Sequence, residues 1–163
     1  MKHETCNMKH TEKYITKSAK ETQKVAVEFA RQILRQKKGN KALILALRGD
    51  LGSGKTTFLQ GFARGLGIKE KILSPTFIIM KKFPINVGGR TSHIFEYFYH
   101  IDCYRLHRPK EVLSLGFKEI ISDPKNIVAI EWPERISKIL PQKTISIKFK
   151  HLKNNQRKLT ITE

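Results

Sequence analysis

The sequence predicts a single α/β domain, on three observations. Ala42 to Gly67 passes from an apolar run through a glycine loop into an amphipathic helical pattern. Further apolar runs at Ile94 to Ile101 and Ile127 to Ile130 read as strands with a helical segment between them. A length of 163 residues suffices for one such core and is too short for two of ordinary size. The first observation decides most. Ala42 to Leu47 is an unbroken apolar run, too short for a buried helix and suited to a strand covered on both faces. Gly49, Gly52 and Gly54 follow. Phe58, Phe62 and Leu66 then recur at a four-residue step on one helix face, and Gly67 stands where a C-terminal cap belongs.

Within this stretch, Gly49-x-x-x-x-Gly54-Lys55-Thr56 satisfies the phosphate-loop (P-loop) pattern in full. Glycines let the backbone adopt positive φ and bring successive N–H groups up to phosphate oxygens, and the helix starting near Lys55 adds its positive dipole end. In that reading Lys55 reaches the β- and γ-phosphates and the Thr56 hydroxyl binds Mg²⁺. A glycine-rich surface turn beside a lysine is the plain alternative. The strand before the motif and the helix after it favour nucleotide binding.

The charge balance is 32 Lys and Arg against 14 Asp and Glu, a net +18. That surplus favours an anionic partner, nucleotide or nucleic acid, or else marks solvated lysine-rich faces. Cys6 and Cys103 form neither a disulfide framework nor a metal-spaced set, as expected in a reducing compartment. No apolar signal region or membrane-length run is present, so a soluble cytoplasmic protein is expected.

In chain order, residues 1–13 are expected to be a disordered or loosely ordered tail, and residues 14–163 the folded domain. Tyr14 and Ile15 read as a short strand. Ser18-x-x-Glu21 is a capping box opening a helix to about Gln36, with Val25, Phe29 and Ile33 on its buried face. Ser74-Pro75-Thr76-Phe77 leads into an apolar run ending at Met80. It is either a switch facing the γ-phosphate or merely the start of a strand. Lys81 to His93 reads as a basic loop between two antiparallel strands. His100 and Asp102 point to the same side of the next strand. They form a metal pair with His107, or Asp102 is a strand-end carboxylate near Mg²⁺ or the attacking water. Glu111 to Ile121, broken at Gly116, reads as two helical pieces. Ile127 to Ile130 ends in Glu131, either an exposed strand terminus or a second carboxylate on the Mg²⁺ side of the ligand crevice. Trp132 stacks there or covers the core. Pro133 opens a short helix, and Thr144 to Phe149 with Lys158 to Thr162 make a terminal hairpin through Lys153-Asn154-Asn155-Gln156. Its basic rim either touches RNA or is a charged edge that discourages pairing between molecules.

Taken in order, GDLGSGKTT, SPTF, HIDCYRL and IEWPERI resemble the TsaE (YjeE) family, small P-loop ATPases of bacterial threonylcarbamoyladenosine synthesis on tRNA. The resemblance runs from about Tyr14 to the C-terminus. It implies a P-loop NTPase-like domain with a mixed central sheet flanked by helices, and ATP and Mg²⁺ as cofactors. It also implies hydrolysis that supports the TsaB–TsaD complex, which acts on adenosine 37 of tRNAs reading codons that begin with A. Residue by residue, it implies a phosphate loop of Gly49, Leu51, Gly52, Ser53, Gly54, Lys55, Thr56 and Thr57. Thr56 and Glu131 are implied at the metal, Asp102 in hydrolysis, Trp132 beside the site, Ser74 to Phe77 as a switch, and the helix start near Ser18 as an approach to the base. The chain departs from the pattern in its high charge and its long basic loop.

The mechanism expected is ATP hydrolysis in which Lys55, the loop amides and Mg²⁺ neutralise phosphate charge while Asp102 or Glu131 positions water. Turnover alone is expected to be slow if a partner must order Ser74 to Phe77 or Lys81 to His93. Arg64, Arg90, Arg105 and Arg135 are the candidates for an assisting cation. A small-molecule kinase shares the loop and the size but needs an acceptor pocket and an arginine-bearing lid, and no lid is evident. A non-catalytic RNA-binding module would use the basic loop and the C-terminal rim.

Overall fold

The computed structural model describes residues 10–37, 39–74, 78–86 and 95–163. The element order is β1 (Thr11–Thr16), α1 (Ala19–Arg35), β2 (Leu43–Arg48), α2 (Lys55–Gly65), β3 (Met80–Pro84), β4 (Tyr97–Asp102), α3 (Lys110–Leu113), α4 (Phe117–Ser122), β5 (Asn126–Glu131), a 3₁₀ segment (Pro133–Ile139), β6 (Ile145–His151) and β7 (Arg157–Thr162). The described strands form one mixed sheet in the order β1-β7-β6-β2-β5-β4-β3. Strands β6, β2, β5 and β4 run parallel, and β7, β1 and β3 are antiparallel to their neighbours.

Local chemistry accounts for the elements. Ser18 caps α1, its hydroxyl accepting from the Glu21 N–H at 3.1 Å while the Glu21 carboxylate reaches back to the Lys17 N–H at 2.7 Å. Phe29 and Ile33 of α1 are buried, with Ala26 and Ala30 beside them; Val25 is only partly covered. Phe58, Phe62 and Leu66 of α2 are all buried, and Gly67 has φ +74°, as its cap position requires. Helices α1 and α2 lie on one face of the sheet, where an added Cβ at Gly61 would sit 2.4 Å from the Gln23 carbonyl oxygen. Rings of Phe29, Phe58, Phe62, Phe98 and Phe149 interlock there at 5.6–6.3 Å between centroids. On the other face α3, α4 and the 3₁₀ segment cover Ile44, Ile101, Val128 and Ile130. The interior strand β5, next to the central β2, is buried along its whole length, Glu131 included.

Several expectations need correction. The first strand begins at Thr11, because Thr11–Thr16 pairs in full with Arg157–Thr162; residues 1–9 lie outside the described residues. The strand expected to end at Met80 instead begins there, so Lys81–Pro84, expected as loop, is strand. On this edge strand Lys82 and Pro84 share the row opposite the buried Phe83, and Lys81, on the side of Phe83, stays exposed by reaching over its ring at 4.9 Å, whereas Ile79 breaks the run at φ +64°. Residues 75–77 and 87–94, holding most of the switch-like turn and the rest of the basic loop, lie outside the described residues. The described ends of that loop leave β3 and β4 at Pro84 and Tyr97, the opposite end of the ladder from Asp102. Those described ends stand about 17 Å of strand from the carboxylates. The C-terminal hairpin is not a sheet edge, since β1 covers β7; its turn uses Asn154 and Asn155, both near φ +58°, the conformation a two-residue hairpin demands.

Candidate functional site

Strands β2, β4 and β5 are parallel, so their carboxyl ends open on the same side of the sheet, where α/β proteins bind ligands. The chain leaves β2 through Gly49, at φ +151°, where a side chain would meet Ser53 Oγ at 2.7 Å and the Phe149 carbonyl at 2.8 Å. Gly54 then caps α2 at φ +103°. Neighbouring ladder partners Asp102 and Glu131 end β4 and β5 beside it. A cleft of about 400 Å³ results, lined by Gly52, Gly54, Lys55, Thr56, Asp102 and Glu131 among others.

The side chains are held tightly. Lys55 Nζ donates to the carbonyls of Gly49 at 2.6 Å and Asp50 at 2.9 Å, and stands 4.3 Å from the centre of the Trp132 ring. Burial holds its pKa below the ordinary lysine value, although the Glu131 carboxylate acts in the opposite sense. The Thr56 hydroxyl faces both Glu131 oxygens at 3.2 and 3.3 Å. Glu131 also accepts from His100 Nε2 at 2.8 Å. Asp102 accepts from the Ser74 hydroxyl and, at 2.9 Å, from the Tyr104 N–H. Trp132 adopts φ +58°, an uncommon conformation for so bulky a residue, with its ring 5.0 Å from that of Tyr104.

This geometry joins four separate segments around one crevice. A family model described as "Threonylcarbamoyl adenosine biosynthesis protein TsaE" matches residues 16–159. The chain belongs to the TsaE family. It is 38% identical over 119 residues to "tRNA threonylcarbamoyladenosine biosynthesis protein TsaE" of Bacillus subtilis strain 168, covering 73% of this chain and 68% of the relative. It is 36% identical over 149 residues to the protein of the same name in Rickettsia bellii, covering 91% and 92%. The crystal structure of Bacillus subtilis YdiB matches with a TM-score of 0.72 at 30% identity, over 95% of this chain and 86% of that one.

In this TsaE chain the cleft gathers Leu51, Gly52, Gly54, Lys55, Thr56, Thr57, Asp102, Glu131 and Trp132. Gly49 and Ser53 are not among its lining residues: Gly49 gives its carbonyl to Lys55, and Ser53 is buried in the loop with its hydroxyl unpartnered. His100 does not join Asp102 as a metal pair; it turns to Glu131, and His107 gives its N–H to Glu111. Among the described residues no group of three or more His, Cys, Asp or Glu is arranged to hold a metal by itself. Of the four arginines, Arg105 lines the cleft. Arg64 bonds Gln23 at the C-terminal end of α2, away from the cleft, Arg135 is exposed on the 3₁₀ segment, and Arg90 lies outside the described residues. Ser18 caps α1 and does not line the cleft.

The hairpin residues that brace the loop were missed from sequence. His151 Nε2 donates to the Gly52 carbonyl at 3.0 Å. Arg157 lies over Gly54, its Cδ 3.1 Å from where a Cβ would be, with its Nε buried and unpartnered. Both belong to strands about a hundred positions downstream, and only the sheet register brings them there.

Proposed function

We propose that this chain is a Mg²⁺-dependent ATP-binding and hydrolysing protein of tRNA threonylcarbamoyladenosine biosynthesis that supports the TsaB–TsaD complex in the cytoplasm. The observation that carries the reading is the convergence of Lys55, Thr56, Asp102 and Glu131 in one cleft at the strand ends. The residues suit both groups. A hydroxyl facing a carboxylate is a hard-oxygen donor pair of the kind Mg²⁺ takes, completed by phosphate and water, so Thr56 and Glu131 would hold the ion. The Gly49–Gly54 loop and the N-terminus of α2 suit a triphosphate. When bound, Mg²⁺ would supply positive charge to the β- and γ-phosphate oxygens.

The chain's own groups do the rest. Lys55 exchanges the Gly49 and Asp50 carbonyls for phosphate oxygens, and its ammonium balances the charge that develops there. Asp102, fixed by the Tyr104 N–H and the Ser74 hydroxyl, orients a water and takes up its proton. His100 fixes the carboxylate of Glu131. Ser74 ties Asp102 to the switch-like segment, which supports slow turnover until a partner seats that segment.

The test is phosphate release from Mg²⁺-ATP by the purified protein alone, with TsaB and TsaD, and with tRNA added. Slow turnover alone, stimulation by the protein pair, and a loss of about 10²-fold or more in Lys55→Ala are expected. Turnover in Lys55→Ala within threefold of the parent, or no heat of binding for ATP or ADP with Mg²⁺ present, would overturn the reading. Stimulation by a small acceptor that becomes phosphorylated would assign a kinase instead.

A further inference from the structure

Among the described residues, the half of the sheet formed by β1, β7 and β6 is packed on one face only. Leu159, Ile161, Ile147 and Phe149 turn toward α1 and α2, whereas the core on the opposite face takes no residue from these three strands. The register lays out what that opposite face displays. One row is Ile15, Lys158 and Lys150; the next is Lys13, Thr160, Lys148 and Arg48; the third is Thr11, Thr162 and Ser146. Lys13, Lys148 and Lys150 are exposed and Lys158 half-buried. The acid within these strands, Glu12, alternates to the other side. Among the described residues, none of the four lysines has an ion pair; Arg48 pairs with Glu134 at 3.8 Å.

The fold does not need this arrangement. Lys150 and Lys158 are direct cross-strand partners, a like-charge pairing that destabilises a sheet. Lysines that guard a sheet edge would explain Lys13 on β1 but not Lys148, Lys150 or Lys158, which lie on interior strands. Uncompensated ammonium groups interleaved with hydroxyls fit a partner that brings regularly spaced negative charge and hydroxyls of its own. No aromatic ring stands in these rows to stack an unpaired base, so the match is to backbone and shape, not to splayed bases.

We propose that this open face, on the side of the sheet opposite α2, docks a helical stem of RNA through phosphate and 2′-hydroxyl contacts, with Lys13, Lys148, Lys150 and Lys158 as its cations and Thr11, Thr160, Thr162 and Ser146 as its hydroxyls. Naming that RNA as tRNA rests on the function proposed above; the face itself does not.

Binding of an unmodified tRNA transcript to the full chain, read by fluorescence anisotropy in 50 and 200 mM KCl, tests this. Four phosphate contacts predict that the parent weakens by about 10²-fold between the two salts. The variant Lys13→Gln/Lys148→Gln/Lys150→Gln/Lys158→Gln should lose about 10²-fold in affinity at the lower salt and most of the salt dependence. It should keep Mg²⁺-ATP turnover and unfold at the same temperature or higher, since the like-charge pairing is gone. The matching fourfold Lys→Arg variant should bind as the parent does, and Lys55→Ala should still bind RNA. A glutamine variant that binds within threefold of the parent with the same salt dependence would overturn the proposal. So would a parent that prefers phosphatidylserine vesicles to tRNA and loses that preference in the glutamine variant. If ATP turnover is absent while the lysine-dependent RNA binding is present, the ATPase reading falls and this one stands.

Discussion

Replacing Glu131 by glutamine separates what the carboxylate does for the fold from what it does for chemistry. Glu131 is 3% exposed and is bonded on one side by His100 Nε2 at 2.8 Å and faced on the other by the Thr56 hydroxyl at 3.2 Å. Glutamine keeps the shape and one acceptor oxygen. Its amide carbonyl can still accept from His100, and the Thr56 hydroxyl can rotate to accept from the amide. The structural loss is the difference between a charge-assisted and a neutral hydrogen bond, about 1 kcal/mol. For a chain of this size that lowers the unfolding midpoint by about 2–4 °C. The chemical loss is larger, because a fixed negative charge that the bound metal would face is removed. Loss of one preorganised electrostatic group of this kind costs about 10²- to 10³-fold in turnover. The assay pairs thermal unfolding by circular dichroism with phosphate release from Mg²⁺-ATP, with TsaB and TsaD present. Glu131→Asp keeps the charge but is a methylene shorter, so it should lose both contacts and fall between the two. Turnover of Glu131→Gln within threefold of the parent would refute the assignment of this carboxylate to the metal side of the cleft.

Four further outcomes are expected. Because burial lowers the Lys55 pKa from 10.5, nucleotide affinity should be full below the lowered value and fall as pH rises through it; a calorimetric midpoint at or above 10.5 would count against this. Stability moves the other way in that window, since the unfolded lysine holds its proton longer and unfolding becomes harder as pH rises between the lowered value and 10.5. Cys103 is buried, and burial, helped by the Asp102 charge, pushes its thiol up to about 12; in a Cys6→Ser variant at pH 8 a thiol reagent should therefore label the protein only as fast as it unfolds. Gly61→Ala places a methyl group 2.4 Å from the Gln23 carbonyl oxygen, backbone that cannot swing aside; a net loss of about 2 kcal/mol remains after helix propensity is credited, and the midpoint should drop by about 4–8 °C.

The Gly49–Gly54 loop and its place between β2 and α2 were legible in the sequence because a strand, a run of glycines at positive φ and a helix start follow one another in the chain, so their signature is local. Asp102 and Glu131 were legible for a related reason, each closing an apolar strand. What sequence could not give was the lateral order of strands. The His100–Glu131 bond needs β4 beside β5, and the bracing of the loop by His151 and Arg157 needs β6 beside β2. Such pairings are set by burial across the whole sheet and leave no periodic trace in one segment. The misplaced β3 has a different cause. At the edge of the sheet Lys82 and Pro84 face solvent on one side and Lys81 reaches out past Phe83 on the other, so Met80–Pro84 carries two lysines and a proline, while the more apolar residues just before it include Ile78, which is 60% exposed.

The chain leaves β3 at Pro84 and enters β4 at Tyr97, the end of their ladder remote from the rung that carries Asp102 and Glu131. Length there is nearly free in evolutionary terms: doubling such a connection adds only about 0.6 kcal/mol of closure entropy, and the distance between the two acids is dictated by adjacent strands, not by what joins them. The length of that connection can therefore vary between lineages without moving Asp102 relative to Glu131, and an epitope or fluorophore inserted between those two strands would leave the pairing of the acids unchanged.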